Sequence, residues 1–161
     1  MTREESLKRL KEIVEDTRIA MLVTQDDEAL RSRPMHTAKI EEDHTIYFFT
    51  SKDSGKIDDI QSDRHVNLSY VNTDDQDFLS ISGTAHTVTD QQKMEELWNP
   101  MMKAWYPDGL ETPDLILLKV EPKEAELWSA ASSKLVQAFQ MGKAIVTGER
   151  YTSGVNEEIN Y

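Results

Sequence analysis

Apolar residues near the start of the chain recur with the period of a helix. Leu7, Leu10, Ile13 and Val14 fall at helical spacing among charged residues, which predicts a helix from 2 to about 17. Thr2, with Glu5 three positions later, forms the pattern of a capping box. From Ile19 onward the pattern changes to short apolar runs divided by polar turns. Strands are predicted at 19–24, 31–40 and 45–50, with turns at 25–28 and 41–44, the layout of an antiparallel meander. A short helix with Ile57 and Ile60 inward follows, then strands at 66–71 and 78–88 around the acidic turn 72–77. Small residues at alternate positions of 78–85 suit a tightly curved barrel strand.

Helical spacing returns from 90 to about 105 through Met94, Leu97, Met101 and Trp105, with a kink or break at Pro100. A turn at 106–109 leads to a long strand from 115 to about 128, interrupted near Pro122. An amphipathic helix over 133–143 turns Leu135, Val136 and Phe139 inward. The polar stretch 149–161 reads as a mobile tail behind a single domain at 1–148. These elements predict a mainly β fold with peripheral helices, a small closed antiparallel barrel of about six strands, since closure removes exposed strand edges.

Composition narrows the function. The 161 residues suit one domain. Lys and Arg number 18 against 30 Asp and Glu, a net charge of −12, and such a surface repels nucleic acid and anionic membranes. With no cysteine, thiolate catalysis, disulfides and Cys-based metal sites are excluded. The charged N-terminus has no apolar signal-peptide core, and no apolar run approaches the ~20 residues that span a bilayer, so a cytoplasmic location is expected. His36, His44, His65 and His86 show no metal-ligand spacing, and no metal is expected.

In so acidic a chain the positions of the few cations matter. Tyr47-Phe48-Phe49-Thr50-Ser51-Lys52-Asp53-Ser54-Gly55-Lys56 runs from a strand through hydroxyls and a glycine into a helix. Unpaired N–H groups at a helix start, hydroxyls and a lysine together suit a phosphate. The segment is not a Walker A loop, because Thr50 and Ile57 stand where Gly and Ser or Thr are required. Taken alone, the same residues fit at least as well an ordinary Ser-capped helix with solvated lysines. Arg33, on the preceding strand, could lie at either end of the hairpin, because register is not readable here. Trp128, followed by small residues and Lys134, could wall a planar ligand, although a single tryptophan is more often core or interface.

As an ordered set these segments resemble a known family. Arg31-Ser32-Arg33-Pro34-Met35, followed by the 47–56 segment, resembles the flavin-binding hairpin of the pyridoxamine 5′-phosphate oxidase-like split barrels. Val66-Asn67-Leu68-Ser69-Tyr70 and Ile81-Ser82-Gly83-Thr84-Ala85 resemble its next strands. Residues 95–107 and 132–137 are similar to the general stress protein branch, and the likeness covers roughly 5–148. The resemblance implies a six-stranded split barrel and a homodimer with FMN at the subunit interface. It implies that Lys56 and Ser54 hold the phosphate with help from Arg33, and that Phe49, Thr50 and Ser51 line the ribityl and ring side. It further implies that Met35 and His36 flank the isoalloxazine ring and that Trp128 approaches from the partner subunit, with Lys134 retaining one cation of the oxidase's site.

The departures bear on activity. The oxidase proper follows its tryptophan with Arg-x-His-Asp-Arg, whereas this chain has Lys134-Leu135-Val136-Gln137-Ala138. Losing a charged contact to a substrate phosphate removes about 1.5–3 kcal/mol. The expected function is therefore an FMN-dependent oxidoreductase for an unidentified small molecule, or a non-catalytic flavin holder, ahead of pyridoxamine 5′-phosphate oxidation. A barrel holding another planar ligand, such as haem or a deazaflavin, ranks last.

Overall fold

The structure, a computed structural model, describes residues 2–130, 134–150 and 154–161, with the backbone alone at 134–137 and 139. Helix α1 (Arg3–Thr17) starts at the expected capping box. Glu5 N–H donates to Thr2 Oγ1, and the Glu5 carboxylate accepts from the Thr2 N–H. It ends at Arg18, whose left-handed backbone (φ 62°) closes the last turn through an N–H donated to the Val14 carbonyl.

Strands β1 (Ile19–Asp26), β2 (Ala29–Ile40) and β3 (Ile46–Ser51) form the meander. Helix α2 (Gly55–Ser62) leads to the hairpin of β4 (His65–Asn72) and β5 (Asp77–Val88). The predicted 90–105 helix divides in two: α3 (Gln91–Leu97), then a 3-10 segment, Pro100–Ala104. Pro100 begins the second piece, where its missing N–H is harmless.

Strand β6 (Leu115–Ser129) runs unbroken, so the interruption expected near Pro122 is not in the strand itself. The irregularity is in the pairing, a register shift between Ser82 and Gly83 opposite Glu124 and Pro122. Only glycine fits there, since a Cβ on Gly83 would lie 2.2 Å from the Glu121 carbonyl oxygen. Helix α4 spans Lys134–Thr147, and the inward side chains expected at Leu135, Val136 and Phe139 lie outside those described.

The sheet order is β3-β2-β1-β4-β5-β6, closed into a ring by antiparallel pairing of β3 with β6. The stretch expected to be a mobile tail contains a seventh strand, β7 (Val155–Asn160), paired with Glu124–Ser129 of β6. One edge of β6 serves β5; the other is shared end to end by β3 and β7. The ring has the six strands expected, and β7 is an addition to it. Ile159 drives the docking, being 3% exposed and joined to the barrel core.

The main core fills the ring, with Leu22, Phe48, Leu68, Tyr70, Ile81 and Leu118 fully buried. Leu10, Ile13 and Val14 of α1 close the mouth where β1 begins, and Ile57 and Ile60 of α2 close the mouth where it ends. A second cluster lies outside the ring, where α3 and the 3-10 segments Pro100–Ala104 and Gly109–Glu111 cover Tyr47, Phe49, Leu115 and Leu117. Strand β3 is therefore buried on both faces, which accounts for its unbroken apolar run. Among the described residues no helix is long and apolar enough to cross a membrane.

Candidate functional site: a cation cleft at the mouth of the ring

The β1–β2 register sets Leu22 opposite Arg33, which carries Arg33 to the mouth closed by α2. This decides the alternative that the sequence leaves open, since Arg33 lies at the Thr50–Ser51 end of the hairpin. A cleft of about 470 Å³ is lined there by Arg31, Arg33, Ser54, Gly55, Lys56 and three aspartates, Asp26, Asp58 and Asp59.

Lys56 is half-buried, and its ammonium donates to Thr50 Oγ1 (2.9 Å) and to Ser54 Oγ. Among the described residues no carboxylate pairs with it. Burial, and next the positive charge of Arg33, hold its pKa below the usual lysine value. Ser54 occupies the N-cap of α2, yet its hydroxyl accepts from Lys56 and makes no side-chain cap. The helix start is thus left without the usual side-chain acceptor. A Cβ at Gly55 would meet nothing within 4 Å, so this position opens onto the cleft.

The other two cations are paired. Arg31 meets Asp26 at 2.7 Å on the exposed rim. Arg33 donates through Nη1 to Thr24 Oγ1 (2.6 Å) and through Nη2 to Asp59 Oδ2 (3.4 Å), while Thr24 Oγ1 donates to Asp59 Oδ2 (2.7 Å). Sequence reasoning missed Thr24 and Asp59. The signal for Thr24 was a hydroxyl where the β1 alternation of Ala20 and Leu22 calls for an inward residue.

The structure thus brings Arg33, Thr50, Ser54 and Lys56 together. Ser51 closes β3 beside them and accepts from the Asp53 N–H. Phe49 points the other way, edge-on to Trp98 in the outer cluster, with its carbonyl accepting from the Tyr106 hydroxyl. Met35 and His36 are not on one face. Met35 lies in the barrel core, whereas His36 is on the outer side of β2, stacked on Trp105 with ring centroids 5.0 Å apart. Within one protomer the two side chains therefore point to opposite faces of β2. Trp128 sits at the opposite end of β6 from Leu115, which pairs with Ser51, so one protomer does not bring it to the cleft. The Lys134 side chain lies outside those described.

The sequence of this chain matches a known family. The model of the group described as pyridoxamine 5′-phosphate oxidase like matches residues 5–152. The chain belongs to this family. Protein bli-3 of Neurospora crassa is 29% identical over 98% of this chain and 80% of its own length. The general stress FMN/FAD binding protein of Xanthomonas citri superposes with a TM-score of 0.71 at 33% identity, covering 81% of this chain and 92% of that one. General Stress Protein 26 of Bacillus anthracis str. Sterne shares the fold, with a TM-score of 0.68 at 24% identity over 76% and 93% of the two chains. Within the family, this chain is similar to the general stress proteins.

Proposed function

We propose that this general stress type protein binds FMN, holding the phosphate between Lys56 and Arg33, and acts as a flavin-dependent oxidoreductase on a small molecule. The observation that carries the reading is Lys56. A half-buried ammonium whose acceptors among the described residues are hydroxyls is costly unless an anion completes its shell. The residues fit a terminal phosphate monoester, because two cations, the Ser54 hydroxyl and a helix start without a side-chain cap converge on one cleft. The relative from Xanthomonas citri, an FMN/FAD binding protein, supports a flavin as the ligand. Bound FMN would supply hydride or electron transfer, while the chain binds and orients it.

The reading includes a homodimer. Val71, Phe78 and Trp128 stand in register across β4, β5 and β6, and are 49%, 42% and 38% exposed. A second copy that covers this apolar row would bury it and could bring Trp128 to the partner's flavin.

A specific observation favours a second reading, in which the protein holds flavin without turnover. His36 faces away from the cleft, whose titratable groups are cations and aspartates. The visible spectrum of the purified protein and titration with FMN and riboflavin test the binding. Flavin bands and at least tenfold tighter binding of FMN are expected, and a colourless protein indifferent to FMN would refute it. Oxidation of NAD(P)H faster than by free FMN separates the enzyme from the holder.

A further inference from the structure

Thr24 is 1% exposed and sits on the inner side of β1 at the α2 mouth. A buried hydroxyl needs partners, and this one has two with opposite roles. A hydroxyl owns a single proton, and Thr24 gives it to Asp59, which as a carboxylate can only accept. The lone pairs of Thr24 are thereby left for Arg33 Nη1 at 2.6 Å. The direct contact from Arg33 Nη2 to Asp59, at 3.4 Å, is longer than a strong charged hydrogen bond. Arg33 is therefore held chiefly through Nη1 by Thr24 and more weakly through Nη2 by Asp59, which leaves three of its five N–H donors for a ligand.

An aspartate beside an anion site is otherwise unfavourable, since it repels phosphate. We propose that Thr24 and Asp59 are positioning residues, a carboxylate-to-hydroxyl relay that aims the Arg33 guanidinium at the phosphate monoester of the bound ligand. This rests on the flavin-phosphate reading and goes beyond it by naming what orients the arginine. Arginine has large side-chain freedom, and freezing it before binding removes that entropic penalty from the association step.

The test is calorimetric titration of the full chain and its variants with FMN, riboflavin and inorganic phosphate. Thr24→Val keeps the shape but removes the hydroxyl, and is expected to weaken FMN and phosphate about tenfold while leaving riboflavin within twofold. Thr24→Ser restores the hydroxyl and the affinity. Asp59→Ala decides between positioning and bystander roles. A carboxylate that only repels would, once removed, tighten phosphate binding, whereas the relay requires several-fold weakening. Unchanged FMN preference in Thr24→Val, or tighter phosphate binding in Asp59→Ala, overturns the proposal. A parallel loss of riboflavin would mark a folding defect and overturn it as well. If the unaltered chain does not prefer FMN over riboflavin, the flavin reading fails instead, and the inorganic phosphate series still judges the relay.

Discussion

Arg9 on α1 reaches the carboxylate of Asp77 at the start of β5, and Asp77 is only 1% exposed. The Ser129 hydroxyl donates to the other oxygen, so one buried aspartate ties α1, β5 and the end of β6 together. Removing one partner of a buried pair leaves the other charge unmatched. Arg9→Ala is expected to destabilise the fold by about 2 kcal/mol, below the ~3–5 kcal/mol of fully buried pairs because Arg9 is partly exposed. Urea unfolding measures it, and a midpoint equal to the parent's would show that Ser129 suffices.

In the proposed FMN site Lys56 is the main contact of the phosphate. Lys56→Ala is expected to weaken FMN binding by about 1.5–3 kcal/mol, the range for charged hydrogen bonds, and to leave riboflavin binding nearly unchanged. Isothermal titration with both ligands checks this, and an unaltered FMN dissociation constant would remove Lys56 from the site.

Phe78 and Trp128 are direct cross-strand neighbours on the outer sheet face. Phe78→Glu places a charge in the middle of that apolar row and is expected to convert the proposed dimer to monomer. Sedimentation velocity reads the outcome. A variant that remains dimeric would locate the contact elsewhere.

Two histidines give stability a pH dependence. Burial, and secondly Arg18, lowers the pKa of His36; burial, and secondly Lys11, lowers that of His44. A folded-state pKa below the unfolded value means that folding disfavours the proton. Stability is then full above the unfolded pKa of ~6.5 and falls as pH drops through it toward the lower folded values. Unfolding free energy should decline between about pH 7 and pH 5, before carboxylates protonate. His36→Phe, which keeps a ring against Trp105, should flatten that slope, and a slope the same as the parent's would exclude His36 as its source.

Ile159 anchors β7 to the barrel core. Ile159→Ala is expected to reduce stability by about 2–4 kcal/mol, as for other buried aliphatic truncations. A change under 0.5 kcal/mol in chemical denaturation would return residues 155–160 to a dispensable appendage.

Much of the ring was legible because its strands carry their own signals. The capping box of Thr2 and Glu5, the apolar runs of β1 to β5 and the small residues around Gly83 each report a local requirement. Strand β7 was not legible. Val155-Asn156-Glu157-Glu158-Ile159-Asn160 is mostly polar, and becomes a strand only because β6 leaves half an edge unpaired beyond β3. At Pro122 the residue type suggested a break in β6, but a bulge beside Gly83 absorbs the irregularity.

The sequence by itself determined α1, the ring strands and the hydroxyl-rich turn from β3 into α2, because periodicity and helix-start chemistry are properties of neighbouring residues. Tertiary structure alone decided that Arg33 stands at the Lys56 mouth, that Met35 and His36 part to opposite faces, and that Thr24 meets Asp59. Those outcomes depend on strand register and ring closure, where a shift of one residue would send every side chain to the other face.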